Sequence, residues 1–319
     1  MDKNSLSPYL DTTLESLALP VDCTYPVYKG KVRDIVDLGK NMVITTSDRI
    51  SAFDRVLSTI PCKGQVLNEL SLFWFEQTND IIGNHILKKI SPRTVAGRKC
   101  SVLPIEVVVR GYLTGSAWRD YQQGKAISGI VLPPNLKSNH KFDTPLFTPS
   151  TKEEKGKHDL PISSDEIINQ GIVKKALLEK IESTALKLFQ RGTEIAARNG
   201  LILVDTKYEF GLLGDDLYLV DEVHTPDSSR YWYADTYAAL YEKGEKQREL
   251  DKEYLRQWLI GQDFMGDGNA PEIPDDIRLE VALRYITAYE TITGQTFVPS
   301  KVNAAEELKL VTSAMEAYK

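Results

Sequence analysis

Apolar and polar positions alternate most clearly in LVDTKYEFG, residues 203 to 211. Side chains alternate across a strand, so Asp205, Lys207 and Glu209 fall on one face and Val204, Thr206, Tyr208 and Phe210 on the other. After GLLGDD the run LYLVDEVHTPDSSRYW resumes a strand-like pattern, and Gly214-Asp215 is a turn signal. An antiparallel hairpin of residues 201–210 and 217–224 is therefore expected. Its register is left open by the sequence. A two-residue loop sets Glu209 opposite Val220, whereas a three-residue loop of Gly214, Asp215 and Asp216 sets it opposite Asp221 on the same face.

Upstream, YKGKVRDIVDL and NMVITTS read as strands joined across Gly39, Lys40 and Asn41. LNELSLFWFEQT (67–78) has a broad apolar helical face, HILKKI and IEVVVRGYL read as strands, and GSAWRDYQQG as a short helix closed by Gly124. The polar passage from about Gly129 to Ser163 is expected as a long loop. A helix capped by Ser163 or Ser164 then runs to about Arg198 and ends at Asn199-Gly200. Further helices are expected at about 230–242, 249–260, 275–293 and 303–317. This order predicts an α+β fold with an antiparallel, strand-rich N-terminal subdomain and a helical C-terminal segment. The expected divisions are a β-rich subdomain at 1–110 with the phosphate-binding strand and loop, a central α+β subdomain at 111–245 with the metal and substrate-phosphate residues, and a helical segment at 246–319.

With 319 residues, 42% of them hydrophobic and 26% charged, the chain suits one or two globular domains. A net charge of -6 argues against a broad nucleic-acid or membrane footprint. No apolar leader and no membrane-length apolar run are visible, which predicts a cytoplasmic protein. Cys23, Cys62 and Cys100 are far apart and without zinc-ligand spacing, so they are expected as free thiols.

Directly opposed carboxylates repel unless a cation lies between them. Hard oxygen ligands with no His or Cys companions suit Mg²⁺, which takes one or two carboxylates plus phosphate oxygens and water. The plainer reading of D-x-K-x-E is a solvated face balanced by Lys207. Lys29, Lys31 and Arg33 also fall at period two, predicting a cationic row on one strand, and Gly30 would let a ligand approach the backbone. Lysines on an edge strand also deter aggregation. Cations for phosphate and carboxylates for magnesium together fit a nucleoside triphosphate, although neither a P-loop nor a GxGxxG motif is present.

Six ordered motifs, YKGKVRDIVD, TSDRISAFD, VVRGYLTGSAW, FTPSTKEEKGKHD, LVDTKYEFG and LVDEVHTPDSSRYW, resemble the phosphoribosylaminoimidazole-succinocarboxamide (SAICAR) synthase family from Tyr28 to Trp232. The resemblance implies a nucleotide site of the ATP-grasp or kinase-like kind between subdomains. It also implies an ATP- and Mg²⁺-dependent ligase of purine biosynthesis, joining carboxyaminoimidazole ribonucleotide to L-aspartate through an acyl phosphate. Its partners would be these small molecules, with no nucleic acid or membrane, in a monomer or small homo-oligomer. Carried over, Lys29, Gly30, Lys31 and Arg33 hold the ATP phosphates with Lys207, while Glu209 and Asp221 hold Mg²⁺, supported by Asp205 and Glu222. Lys207, Asp205 and Arg230 are the implied catalytic residues. Arg110, Ser116 and Arg230 clamp the substrate phosphate, and Asp48, Arg49, Ser51 and Asp54 border the imidazole and aspartate pockets. Thr148, Ser150, Thr151 and Lys152 belong to a mobile closing loop. These assignments favour the three-residue hairpin register. The chain departs from the family after TPSTK, with Gly156-Lys157-His158-Asp159-Leu160-Pro161 where a G-E-H-D-E-N-like run is usual.

Two competing readings are a small-molecule kinase, which needs no aspartate, and a nucleotide-sensing protein without turnover. The paired acids argue against the second. His224 is expected as a hydrogen-bonded structural residue rather than a base.

Overall fold

A computed structural model describes residues 1–20, 23–53, 55–152, 159–250 and 253–319. The chain opens with α1 (Lys3–Leu6), β1 (Val27–Lys29), β2 (Arg33–Asp37), β3 (Asn41–Thr46), β4 (Arg49–Ala52) and β5 (Arg55–Thr59). Then come α2 (Lys63–Gln77), β6 (Ile86–Lys89), β7 (Thr94–Arg98), β8 (Ser101–Val102), β9 (Ile105–Leu113), α3 (Gly115–Gln122) and β10 (His140–Thr151). The middle continues with α4 (Ser164–Asn169), α5 (Lys175–Arg198), β11 (Leu201–Leu213), β12 (Asp216–Val220) and β13 (Ser229–Tyr233). Helices α6 (Ala234–Lys243), α7 (Glu253–Gly261), α8 (Asp275–Thr293) and α9 (Ala304–Tyr318) complete an α+β fold. No helix among the described residues is long and apolar enough to cross a membrane.

Two compact units divide the chain, one of Met1–Phe73, His85–Lys99 and Asp251–Lys319, the other of Trp74–Asn84 and Cys100–Leu250. The first holds the antiparallel sheet β1-β2-β3-β7-β6 and the hairpin β4-β5. Gly39 takes φ +93° in the β2–β3 turn, where its N–H is accepted by the Asp37 carboxylate at 2.9 Å, as the turn chemistry implied. Val36 and Val43 need an apolar cover, and Leu14, Leu17, Val311, Ala314 and Met315 supply it. The C-terminal segment is thus in part a wall of the first unit.

The second unit holds the sheet β10-β9-β11-β12, with β13 and β8 also paired to β11. Leu178, Ile181, Ala185, Leu188, Phe189, Gly192 and Ile195 form the buried stripe of α5. A Cβ on Gly111 of β9 would come within 3.1 Å of the Phe189 ring, so the helix rests on bare backbone there. Ser163 caps α4 in a capping box with Glu166, as expected. The helix does not run on unbroken, because Gly171 at φ +69° separates α4 from α5.

Three expectations are corrected. The supposed loop at 129–163 contains the twelve-residue strand β10. Its prolines are tolerated because β10 is an edge strand and its register shifts between Lys141 and Leu146. Residues 229–233, expected to open a helix, pair with β11 as β13, burying Tyr231 and Trp232 completely. Finally, the β11–β12 hairpin adopts the two-residue turn, with Leu213 opposite Asp216 and Glu209 opposite Val220. Gly214 at φ +62° provides the left-handed residue that this tight connection requires.

Candidate active site

One face of β11 gathers the chemistry of the second unit. Asp205 pairs across the ladder with Arg110 of β9 and with Arg230 of β13, so the three side chains stand side by side. Arg230 grips both carboxylate oxygens, Nε to Oδ1 at 3.0 Å and Nη2 to Oδ2 at 2.6 Å, while Arg110 Nη1 reaches Oδ2 at 3.4 Å. Arg110 also donates to Thr148 Oγ1 at 3.0 Å and to Ser116 Oγ at 3.3 Å. Burial pulls the Arg110 pKa down and the Asp205 carboxylate partly restores it. Two cations on one anion leave a net positive, geometrically fixed seat suited to a phosphate. Gly115, at φ +59°, is required beside it, because a Cβ would lie 2.2 Å from Arg230 Nη1. The resemblance set Asp205 behind the metal; the ladder sets it behind the arginines.

Further along the same face, Lys207 donates to Glu106 at 2.8 Å and lies 3.7 Å from Glu209, whose other oxygen meets Lys152 at 2.5 Å. Burial opposes the Lys207 charge, but Glu106, Glu209 and Asp221 outweigh it and raise its pKa. Burial raises the Glu106 carboxyl, and Lys207 only partly offsets this. Glu106 escaped the sequence reading although IEVVVR carries the signal, since Glu106 and Arg110 share the period-two face that Asp205 and Lys207 continue.

Asp221 does not oppose Glu209 on the ladder. It lies one residue beyond β12 at φ +66°, a left-handed conformation uncommon for a residue with a side chain. Its charge is among those that raise the Lys207 pKa. Glu222 accepts from Thr225 Oγ1 at 2.8 Å. Among the described residues no three His, Cys, Asp or Glu side chains form a metal seat by themselves. Carboxylate oxygens are the donor type that a hard divalent cation takes together with phosphate and water.

Thr148, Ser150 and Thr151, expected on a mobile loop, are strand residues opposite Val108, Glu106 and Ile105. Lys152 follows the strand directly. At the other end of this connection Leu160 and Pro161 fold back on Thr151 and Ser150, through the Thr151 N–H to Leu160 C=O bond of 2.9 Å and a bridge to Pro161. Lys157 and His158 lie outside the described residues. His224 is fully buried, bonded through Nε2 to Tyr208 Oη at 2.5 Å, and burial lowers its pKa to about 3. It is a neutral structural group, as expected.

In the first unit the cationic row is not a strand face. Lys29 ends β1, Arg33 begins β2, and Gly30, Lys31 and Val32 turn between them. The Gly30 N–H donates to Arg33 C=O at 2.8 Å, and a Cβ on Gly30 would approach that oxygen to 3.2 Å. Asp48 is fully buried and accepts from Leu14 N–H at 2.7 Å, Gly64 N–H at 2.8 Å and Arg93 at 2.5 Å. Arg49 is 6% exposed and paired with Asp34 at 2.8 Å. Ser51 is half-buried in β4, and Asp54 lies outside the described residues.

The α+β fold thus sets two arginines and a hydroxyl beside a lysine among acids on one strand face. The SAICAR synthetase family model matches residues 26–272. A phosphoribosylaminoimidazole-succinocarboxamide synthase of Azobacteroides pseudotrichonymphae is 48% identical over 295 residues, covering 91% of this chain and 90% of its own. That of Bacteroides thetaiotaomicron is 47% identical over 289 residues, covering 89% and 92%. Among solved structures, the Saccharomyces cerevisiae SAICAR synthase complexed with SAICAR superposes with TM-score 0.78 at 35% identity, covering 88% of this chain and 98% of its own. A SAICAR synthetase in complex with ADP gives 0.66 at 26% identity, covering 86% and 100%. This chain belongs to the SAICAR synthetase family.

Proposed function

We propose that this protein is the ATP-dependent ligase that joins carboxyaminoimidazole ribonucleotide and L-aspartate to give SAICAR, ADP and phosphate, acting on small molecules in the cytoplasm. One observation carries the reading at the level of chemistry. Asp205, braced between Arg110 and Arg230, and Glu209, beside Lys207, are four residues apart on one strand face. That separation is about 13 Å, a span one mononucleotide bridges. A ribonucleotide whose phosphate rests on Arg110, Ser116 and Arg230 directs its base carboxylate toward Lys207 and Glu209.

Carboxylates are poor electrophiles, so activation precedes amide formation. A carboxylate oxygen of the ribonucleotide attacks the γ-phosphorus of ATP, ADP leaves, and an acyl phosphate forms. The aspartate amine then adds to the acyl carbon, the carbon–oxygen bond to phosphate breaks, and inorganic phosphate departs carrying the proton that the amine loses. Lys207 holds phosphate oxygens in line, kept charged by its acidic neighbours and fixed by Glu106. Glu209 and Asp221 are the ligands we assign to Mg²⁺, which when bound would neutralise phosphate charge. In the first unit, Lys29, Lys31 and Arg33 around Gly30 are assigned to ATP phosphates, and Ser51 to the substrate side.

The test is phosphate release with ATP, Mg²⁺, ribonucleotide and aspartate, omitting each in turn. Turnover that vanishes without aspartate supports ligation, and Glu209→Gln should lower the complete rate by roughly a hundredfold or more. Undiminished ADP formation without aspartate would replace the proposal with kinase or hydrolase chemistry.

A further inference from the structure

Arg49 spends its guanidinium on backbone. Its Nη2 donates to the Gly30 carbonyl at 3.0 Å, its Nε to the Lys31 carbonyl at 3.3 Å, and its Nη1 to the Glu15 carbonyl, while Asp34 Oδ1 accepts from Nη2 at 2.8 Å. The next carbonyl, that of Val32, accepts from the Ser47 N–H at 2.8 Å and from Ser47 Oγ at 2.5 Å. Three consecutive carbonyls of the 30–32 turn are therefore held by two neighbouring interior residues. No peptide bond among the described residues is cis. In a planar trans peptide the N–H points opposite to the C=O, so tying the Gly30 and Lys31 carbonyls to Arg49 turns the Lys31 and Val32 amides away from the guanidinium. Gly30 and Lys31 of the turn are exposed, whereas Arg49 beneath them is buried.

We propose that Arg49 is a positioning residue that sets the peptide orientation of the Gly30–Val32 turn for the triphosphate, with Ser47 assisting, and that it touches neither the imidazole nor the aspartate substrate. The inference rests on the assignment of this turn to ATP phosphates. A side chain of five fixed donors suits the task, because one planar group holds two successive carbonyls and a carboxylate together. Lysine at this position retains the charge opposite Asp34 but cannot reproduce the fork. The role differs from that implied by the family motif, in which Arg49 borders the substrate pockets.

The experiment compares Arg49→Lys, Ser47→Ala and Lys31→Met for ADP affinity by calorimetry and for the KM of each substrate. The expected result is a nucleotide dissociation constant and ATP KM raised by roughly tenfold in Arg49→Lys and by a smaller factor in Ser47→Ala, with KM for ribonucleotide and aspartate unchanged. An Arg49→Lys protein that binds ADP normally but has raised KM for ribonucleotide or aspartate would overturn the inference. If Arg49→Lys does not fold, Ser47→Ala decides, because unchanged ADP affinity there also overturns it. Lys31→Met separates the two levels. Weakened ADP affinity in that variant with no effect of Arg49→Lys or Ser47→Ala keeps the turn at the phosphates and rejects only the positioning role.

Discussion

Complete burial keeps His224 neutral, with Tyr208 bonded to Nε2, the Trp74 ring edge-on at 4.7 Å and Nδ1 without a bonding partner. Its pKa falls from 6.5 to about 3 on folding through this desolvation. Between those values the unfolded chain binds a proton that the folded chain refuses. The stabilisation is therefore fully present above pH 6.5 and drains away as pH falls toward 3. The slope is up to about 1.4 kcal/mol per pH unit. Urea unfolding between pH 7 and 5 should show an extra proton uptake in the wild type over His224→Gln that approaches one at pH 5, and equal slopes would contradict the assignment. The residue-scale reading of the sequence succeeded where an isolated His met an apolar surround. The burial of Asp48 and Arg49 was not legible, because charged residues in a motif look the same from sequence whether they face a ligand or brace the backbone beneath one.

Secondary structure elements explain both the success at β11 and the errors around it. Strand alternation placed Asp205, Lys207 and Glu209 on one face without knowledge of their neighbours. Register was beyond reach, because it depended on whether Gly214-Asp215 alone closed the turn. Strand β10 was hidden by its prolines, which speak against a strand only when the strand is central. At the other end of the chain, α9 brings Val311, Ala314 and Met315 onto Val36 and Val43, and its buried Glu307 accepts from Ser91 and Thr94 hydroxyls. Cutting Val311 to alanine should destabilise the protein by about 2 kcal/mol, read as a lowered urea midpoint. An unchanged midpoint would mean that α9 is not a wall of this core.

At the scale of the whole molecule, both compact units are assembled from separated stretches of sequence, and the first needs three. Periodicity reports local faces and not the partner that covers them, so the α+β class was legible while the membership of the C-terminal helices was not. The net charge of -6 likewise hid the local sites. We assign anion binding to Arg110 and Arg230, which share a single buried carboxylate within an acidic protein whose overall field would repel anions.

We propose that an oxygen of the substrate carboxylate is phosphorylated by ATP and leaves with the phosphate. The direct measurement follows heavy oxygen placed in the carboxylate of carboxyaminoimidazole ribonucleotide during a complete reaction. One labelled oxygen should leave in the inorganic phosphate, since the carbon–oxygen bond that breaks was made to phosphorus. Full conversion to SAICAR with unlabelled phosphate would contradict the account.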